Sequence, residues 1–211
     1  MLSPEDNETL VRTGADTSMG DLFRRFWTPI LLAGDLPQAD CNPVRVRVMG
    51  ERLVAFRDTQ DRAGLLDTRC PHRGADLSNG FNEEGGLRCQ LCGWKFDVYG
   101  NCLETPFEHP ESTLKDEIHV DSYPIREWAG IYWAYLGPAD KTPAWPEFEW
   151  GDLPADHRYV SRYLVECNYM QAVEGSLDAG RLAFLQRMLG DGDAPGDDAS
   201  EKPNQRITVK Y

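Results

Sequence analysis

Cys70-Pro71-His72-Arg73-Gly74-Ala75-Asp76-Leu77 and Cys89-Gln90-Leu91-Cys92-Gly93-Trp94-Lys95-Phe96-Asp97 decide how this chain is read. Cys89 follows His72 by seventeen positions, so a C-x-H pair and a C-x-x-C pair stand one short hairpin apart. Three thiols supply soft, strongly donating thiolate ligands, and the imidazole supplies a nitrogen donor. Pro71 stiffens the first loop, while Gly74 and Gly93 free the backbone to approach a bound group. Trp94 and Phe96 supply an apolar floor. The donor set Cys70, His72, Cys89 and Cys92 suits either a tetrahedral zinc ion or an iron–sulfur cluster.

Outward from these loops the pattern is that of short strands. Val44-Arg45-Val46-Arg47-Val48 alternates with period two, Met49-Gly50-Glu51 turns the chain, and Leu53-Val54-Ala55-Phe56 returns. Further short strands fall at Leu65-Leu66, Leu87, 96–98 and 131–135, punctuated by Gly, Pro and Asn. Asp16-Thr17-Ser18 caps a helix starting near Met19, which Pro29 stops. Residues 137–154, rich in Pro and Trp, read as an inter-domain connection. Residues 158–165 read as a strand and 168–189 as a helix. On that helix Val173, Leu177, Leu182, Leu185 and Leu189 share a face. Residues 191–201 are acidic and aperiodic, a loop.

The 211 residues carry a formal net charge of −13, which disfavours nucleic acid and anionic membrane surfaces and suits a basic electron donor or partner subunit. The start, MLSPEDNETL, lacks the basic and apolar regions of a signal peptide, and no apolar run is long enough to span a membrane. Cys41, Cys102 and Cys167 are scattered and read as core or loop residues, so a reducing, cytoplasmic setting is expected. His109, His119 and His157 read as surface residues.

The two cysteine-bearing loops resemble those of a Rieske [2Fe–2S] domain, with one departure: the last ligand position holds Cys92 where the family pattern has His. The wider chain is similar to the oxygenase component of Rieske non-heme iron oxygenases, in the phthalate-dioxygenase-like branch. Three segments carry that likeness: 19–30, 123–138 and 168–178. The resemblance implies a [2Fe–2S] cluster with Cys₃His ligation, a flavin- or ferredoxin-containing reductase as donor, and a mainly β fold. The expected order is an N-terminal helical segment (1–39), a Rieske domain (40–144) and a truncated remnant (145–211) of the α+β, helix-grip catalytic domain.

In that family, two His ligands of a mononuclear iron follow an Asp by three and eight residues, and a distant carboxylate completes the triad. Asp178 matches the Asp, which links one subunit's cluster to the next subunit's iron. The two ligand positions are Arg181 and Gln186. Arg stays protonated and cannot ligate a metal, and Gln is at best a weak ligand. The chain ends at Tyr211, before the distant carboxylate. Asp178 and Arg181, one turn apart, also suit a simple ion pair. No mononuclear iron is therefore expected, and the chain alone is expected not to oxygenate substrate. The reading is a Rieske-type subunit of a hetero-oligomeric ring-hydroxylating or demethylating oxygenase, in a trimeric ring, feeding or bracing a catalytic partner. The alternatives are a structural or regulatory subunit with a zinc-filled or empty site, and a stand-alone electron carrier.

Overall fold

Two hairpins that share one strand organise the molecule. The computed structural model describes residues 2–109 and 111–177, which fall into a unit ending at Arg162 and a second beginning at Tyr163. In chain order the first unit holds α1 (Pro4–Val11), α2 (Ser18–Phe23), β1 (Thr28–Leu32), β2 (Val44–Val48), β3 (Glu51–Arg57), β4 (Ala63–Asp67), β5 (Phe81–Glu83), β6 (Gly86–Arg88), β7 (Lys95–Phe96), β8 (Cys102–Glu104), α3 (Leu114–Glu117), β9 (Ile125–Trp128) and β10 (Ile131–Ala134). The strands form three antiparallel sheets, ordered β1-β10-β9, β2-β3-β4 and β5-β6-β7-β8. The architecture is thus mainly antiparallel β.

The β2–β3 hairpin shows why. Met49 and Gly50 both take positive φ (48° and 82°), the two-residue turn whose twist matches that of the strands. Val46 then points into the core, packed beside Val44 and Val48, while Arg45 and Arg47 face out. Over residues 53–56 of β3 neither face is left to solvent. Leu53 and Ala55 join one core with Leu31, Leu65, Tyr132 and Ala134. Val54 and Phe56 join a second with Leu66, Leu87, Trp94 and Phe96. Burying each large apolar side chain here contributes about 1.5–3 kcal/mol.

Thr17 caps α2 as its sequence implies, accepting from the Gly20 N–H at 3.1 Å. Pro29 does not merely stop a helix. It lies in β1, an edge strand of its sheet, where a residue without an N–H is tolerated, and the register shifts just after it. Ser3 caps α1, with Pro4 opening the helix.

Two stretches differ from the sequence reading. Residues 137–154 are not a free connection. Trp145 lies 5.0 Å from Trp27, and Phe148 and Trp150 pack on Trp133 and Trp128 of β10 and β9, so the stretch straps the sheet. Residues 158–165 form no strand. No described strand pairs with them, and Arg158 Nη1 donates to the Gly151 carbonyl instead. In the second unit, α4 (Tyr169–Leu177) starts where expected, with Asn168 Oδ1 accepting from the Gln171 N–H at 3.0 Å. Val173 and Leu177 are exposed. Leu182, Leu185, Leu189, Asp178, Arg181, Gln186 and the loop at 191–201 lie outside the described residues.

Candidate metal centre

Each loop has its own scaffold. The first leaves β4 and is closed by an antiparallel bridge between Arg69 and Asp76. The Cys70 N–H donates to the Ala75 carbonyl at 2.9 Å and the Gly74 N–H returns to the Cys70 carbonyl at 2.8 Å. Asp76 then caps the short helical turn that follows, accepting from the Ser78 N–H at 2.9 Å. The second loop is the tip of the β6–β7 hairpin, where the Cys89 N–H donates to Trp94 O at 2.8 Å and the Gly93 N–H to Cys89 O at 2.9 Å. Gly74 and Gly93 take φ of +71° and +73°, a backbone that L side chains rarely adopt.

These loops gather three of the four expected ligands. The Sγ atoms of Cys70, Cys89 and Cys92 lie within 4.8 Å of one another, all buried. Cys70 and Cys92 Sγ are 3.6 Å apart. His72 is not gathered with them. Its exposed ring lies over Trp94, centroids 4.7 Å apart. Cys102 shares the same core but donates to the Glu104 carbonyl at 3.5 Å. His109, His119 and His157 are exposed, as expected.

Burial pushes the Cys70 thiol up to about 12, against the opposing His72 N–H. Burial also raises Cys92, opposed by the Trp94 N–H. Burial alone would raise Cys89 too, but the N–H groups of Cys92 and Leu91 outweigh it and lower that thiol. Inward-turned N–H donors and close-set soft thiols fit a thiolate-bound metal group, whose anionic ligands need such donors.

Sequence reasoning missed the brace behind the second loop. Arg88 donates to the Gly93 carbonyl at 2.8 Å and pairs with Glu83 at 2.6 Å and Glu104 at 2.8 Å. The buried Lys95 ammonium meets the same Glu104. A charge immediately before Cys89 and another immediately after Trp94 were the available signal.

Residues 26–124 match the family model described as "Rieske [2Fe-2S] domain". The chain is 39% identical over 211 residues to the 3-chlorobenzoate-3,4-dioxygenase oxygenase subunit of Comamonas testosteroni, covering 100% of this chain and 49% of that one. It is 42% identical over 187 residues to the phthalate 4,5-dioxygenase oxygenase subunit of Pseudomonas putida, covering 88% of this chain and 42% of that one. The structure of dicamba monooxygenase bound to dicamba superposes with a TM-score of 0.66 at 28% identity, over 78% of this chain and 48% of that one. The chain spans about half the length of these relatives or less. No helix among the described residues is long and apolar enough to cross a membrane. The converging cysteines therefore sit inside a matched segment, and residues 26–124 are a Rieske [2Fe–2S] domain related to the oxygenase subunits of Rieske oxygenases, an oxidoreductase family.

Proposed function

We propose that this chain is a Rieske-type electron-transfer component of a ring-hydroxylating or demethylating oxygenase, with Cys70, His72, Cys89 and Cys92 holding the cluster. The convergence of three buried thiols inside the matched segment supports this most. When bound, a [2Fe–2S] group supplies a one-electron relay. The chain's own residues hold and tune it. The Leu91 and Cys92 N–H groups favour the Cys89 thiolate, Trp94 and Phe96 exclude water from below, and exposed His72 is the edge nearest a partner. Cys92 in place of an imidazole adds one negative charge, which favours the oxidised state.

Arg181 and Gln186 at the mononuclear-iron positions support a role without oxygen activation in this chain. A longer, ligand-complete subunit would then supply the iron, with Asp178 either bridging toward it or paired with Arg181. A flavin- or ferredoxin-containing reductase would supply electrons.

One observation favours a second reading. Two thiolates on one zinc ion at about 2.3 Å per bond lie about 3.8 Å apart, and Cys70 and Cys92 Sγ are 3.6 Å apart with His72 to one side. Absorption and EPR spectra of anaerobically purified protein, with iron, zinc and acid-labile sulfide measured per chain, decide. Equal iron and sulfide with a reducible signal is the expected result. Zinc without sulfide overturns it.

A further inference from the structure

In an antiparallel pair, like charges directly opposite destabilise the sheet. Arg47 on β2 stands directly opposite Arg52 on β3. Both are exposed, as are Arg69 and Arg73, which flank Cys70 and His72 in the first loop. Among the described residues none of these four guanidinium groups has an ion-pair partner. Most other arginines in the first unit do have partners, so the four are not a general feature of the surface.

Three of them adjoin, since Arg47 faces Arg52, and Arg52 and Arg69 line one open polar cleft of about 370 Å³, while Arg73 follows in the same loop as Arg69. Thr68, beside Arg69, donates its N–H to the Arg52 carbonyl. The two carboxylates at this cleft are already engaged: Glu51 with Arg24 and the Tyr123 hydroxyl, and Asp67 with the Arg69 N–H at 2.6 Å. Residues 44–74 hold seven Arg against four acidic residues, a net +3 in a chain of −13. Residues 104–121, whose Pro106 and Phe107 lie beside Gly93 of the second loop, carry six acidic residues against Lys115. The two stretches thus differ in sign.

We propose that Arg47, Arg52, Arg69 and Arg73 form the docking surface for an acidic electron-transfer domain, beside exposed His72. The choice of an electron donor rests on the function proposed above; the choice of an acidic partner rests on charge complementarity. Net charge alone favours a basic partner, but the band beside the loop has the opposite sign, and partners meet the local field. On docking, one electron would pass from the reduced donor to the oxidised [2Fe–2S] group that Cys70, His72, Cys89 and Cys92 would hold, with no covalent bond made or broken.

The test titrates the full chain with an acidic [2Fe–2S] ferredoxin at about 10 mM and about 200 mM salt, where the screening length falls from about 30 Å to under 10 Å. Binding should weaken at least tenfold with salt. Arg47→Glu should weaken it several-fold at low salt while raising the unfolding midpoint, because the new carboxylate would pair with Arg52. Arg52→Glu with Arg69→Glu should weaken it tenfold or more. Glu108→Lys with Glu111→Lys, in the acidic stretch, should leave it unchanged. Binding that ignores the arginine variants, or fails at low salt, overturns the proposal. So does a salt-sensitive dimer of the chain alone that Arg47→Glu dissolves, since the occupant is then a second copy. Stopped-flow reduction by the same ferredoxin is read in parallel. If the protein holds no reducible group, the electron-transfer function fails while the titration still decides the docking surface.

Discussion

The imidazole of His72 lies nearly flat on the indole of Trp94, centroids 4.7 Å apart and planes 19° from parallel. The contact joins the two loops across their gap, since His72 belongs to the first and Trp94 to the second. Trp94 is itself buried among Cys70, Cys89 and Cys92. It therefore both floors the site and sets the imidazole's place at the rim.

Trp94→Ala should remove that support. Loss of a buried Trp costs about 3–5 kcal/mol, so the denaturant midpoint should fall and the bound metal group should be lost faster. Trp94→Phe should keep most of the stacking and fall between. The rate of visible bleaching under chelator, read with the unfolding midpoint, checks both. Equal bleaching in all three proteins would remove Trp94 from the site.

Cys92→His should shift the reduction potential upward and strengthen its pH dependence. One thiolate charge is lost and one ionisable imidazole is gained. Voltammetry of both forms across pH is the measurement. An unchanged or lower potential means that Cys92 is not a ligand.

Gly93→Ala should destabilise the second loop. Its φ of +73° strains any L side chain, and a Cβ there would come within 2.9 Å of Pro106 Cγ. The expected cost is about 1–3 kcal/mol, with a matching fall in metal content per chain. Gly34→Ala, where a Cβ meets nothing within 4 Å, is the control and should keep full metal content.

Glu104 gives a pH-dependent stability. The hydrogen bond from Lys95 comes first, and that from Arg88 adds to it, holding the Glu104 carboxyl below its ordinary 4.5. A carboxyl lowered in the folded state contributes stability above its unfolded value, and that stability is lost as pH falls through the folded value. The melting temperature should therefore fall on acidification below about pH 4.5. Glu104→Gln should lower it at neutral pH, where Lys95 loses its main counter-ion, and flatten the acid slope. Glu104 is partly exposed, so added salt should shrink the effect. Thermal melts from about pH 3 to about pH 7 at two salt concentrations read out both.

Much of this was legible in the sequence. The alternation of 44–48 and the Met49-Gly50 turn specified a hairpin because period two and positive φ have few other uses. Cys70, Cys89 and Cys92 were readable as a site because two loops at that spacing bring three thiols to one end of a hairpin. His72 was readable as a donor, but spacing carries no information on which way its ring turns, and stacking on Trp94 decided that. The strap at 137–154 was hidden by composition. Proline marks loops, and only the third dimension shows that Trp145 and Phe148 pack on a sheet. Residues 158–165, rich in Tyr and Val, read as a strand, yet a strand needs a neighbour, and local sequence does not supply one. Helix α1 lies inside the segment 1–39 expected to be helical, and Ser3-Pro4 marks its start by cap chemistry.

Strand β3, with Leu53 and Ala55 on one face and Val54 and Phe56 on the other, makes the two cores a single cooperative unit. Neither core can open without exposing one side of the same seven residues, so partial melting has no inexpensive route. Amide hydrogens of β3 should exchange only through global unfolding, the slowest in the domain. Heat, acid or loss of the metal group should then be felt at both ends together, and a fluorescence probe at Trp27 would report an event that begins at Cys89.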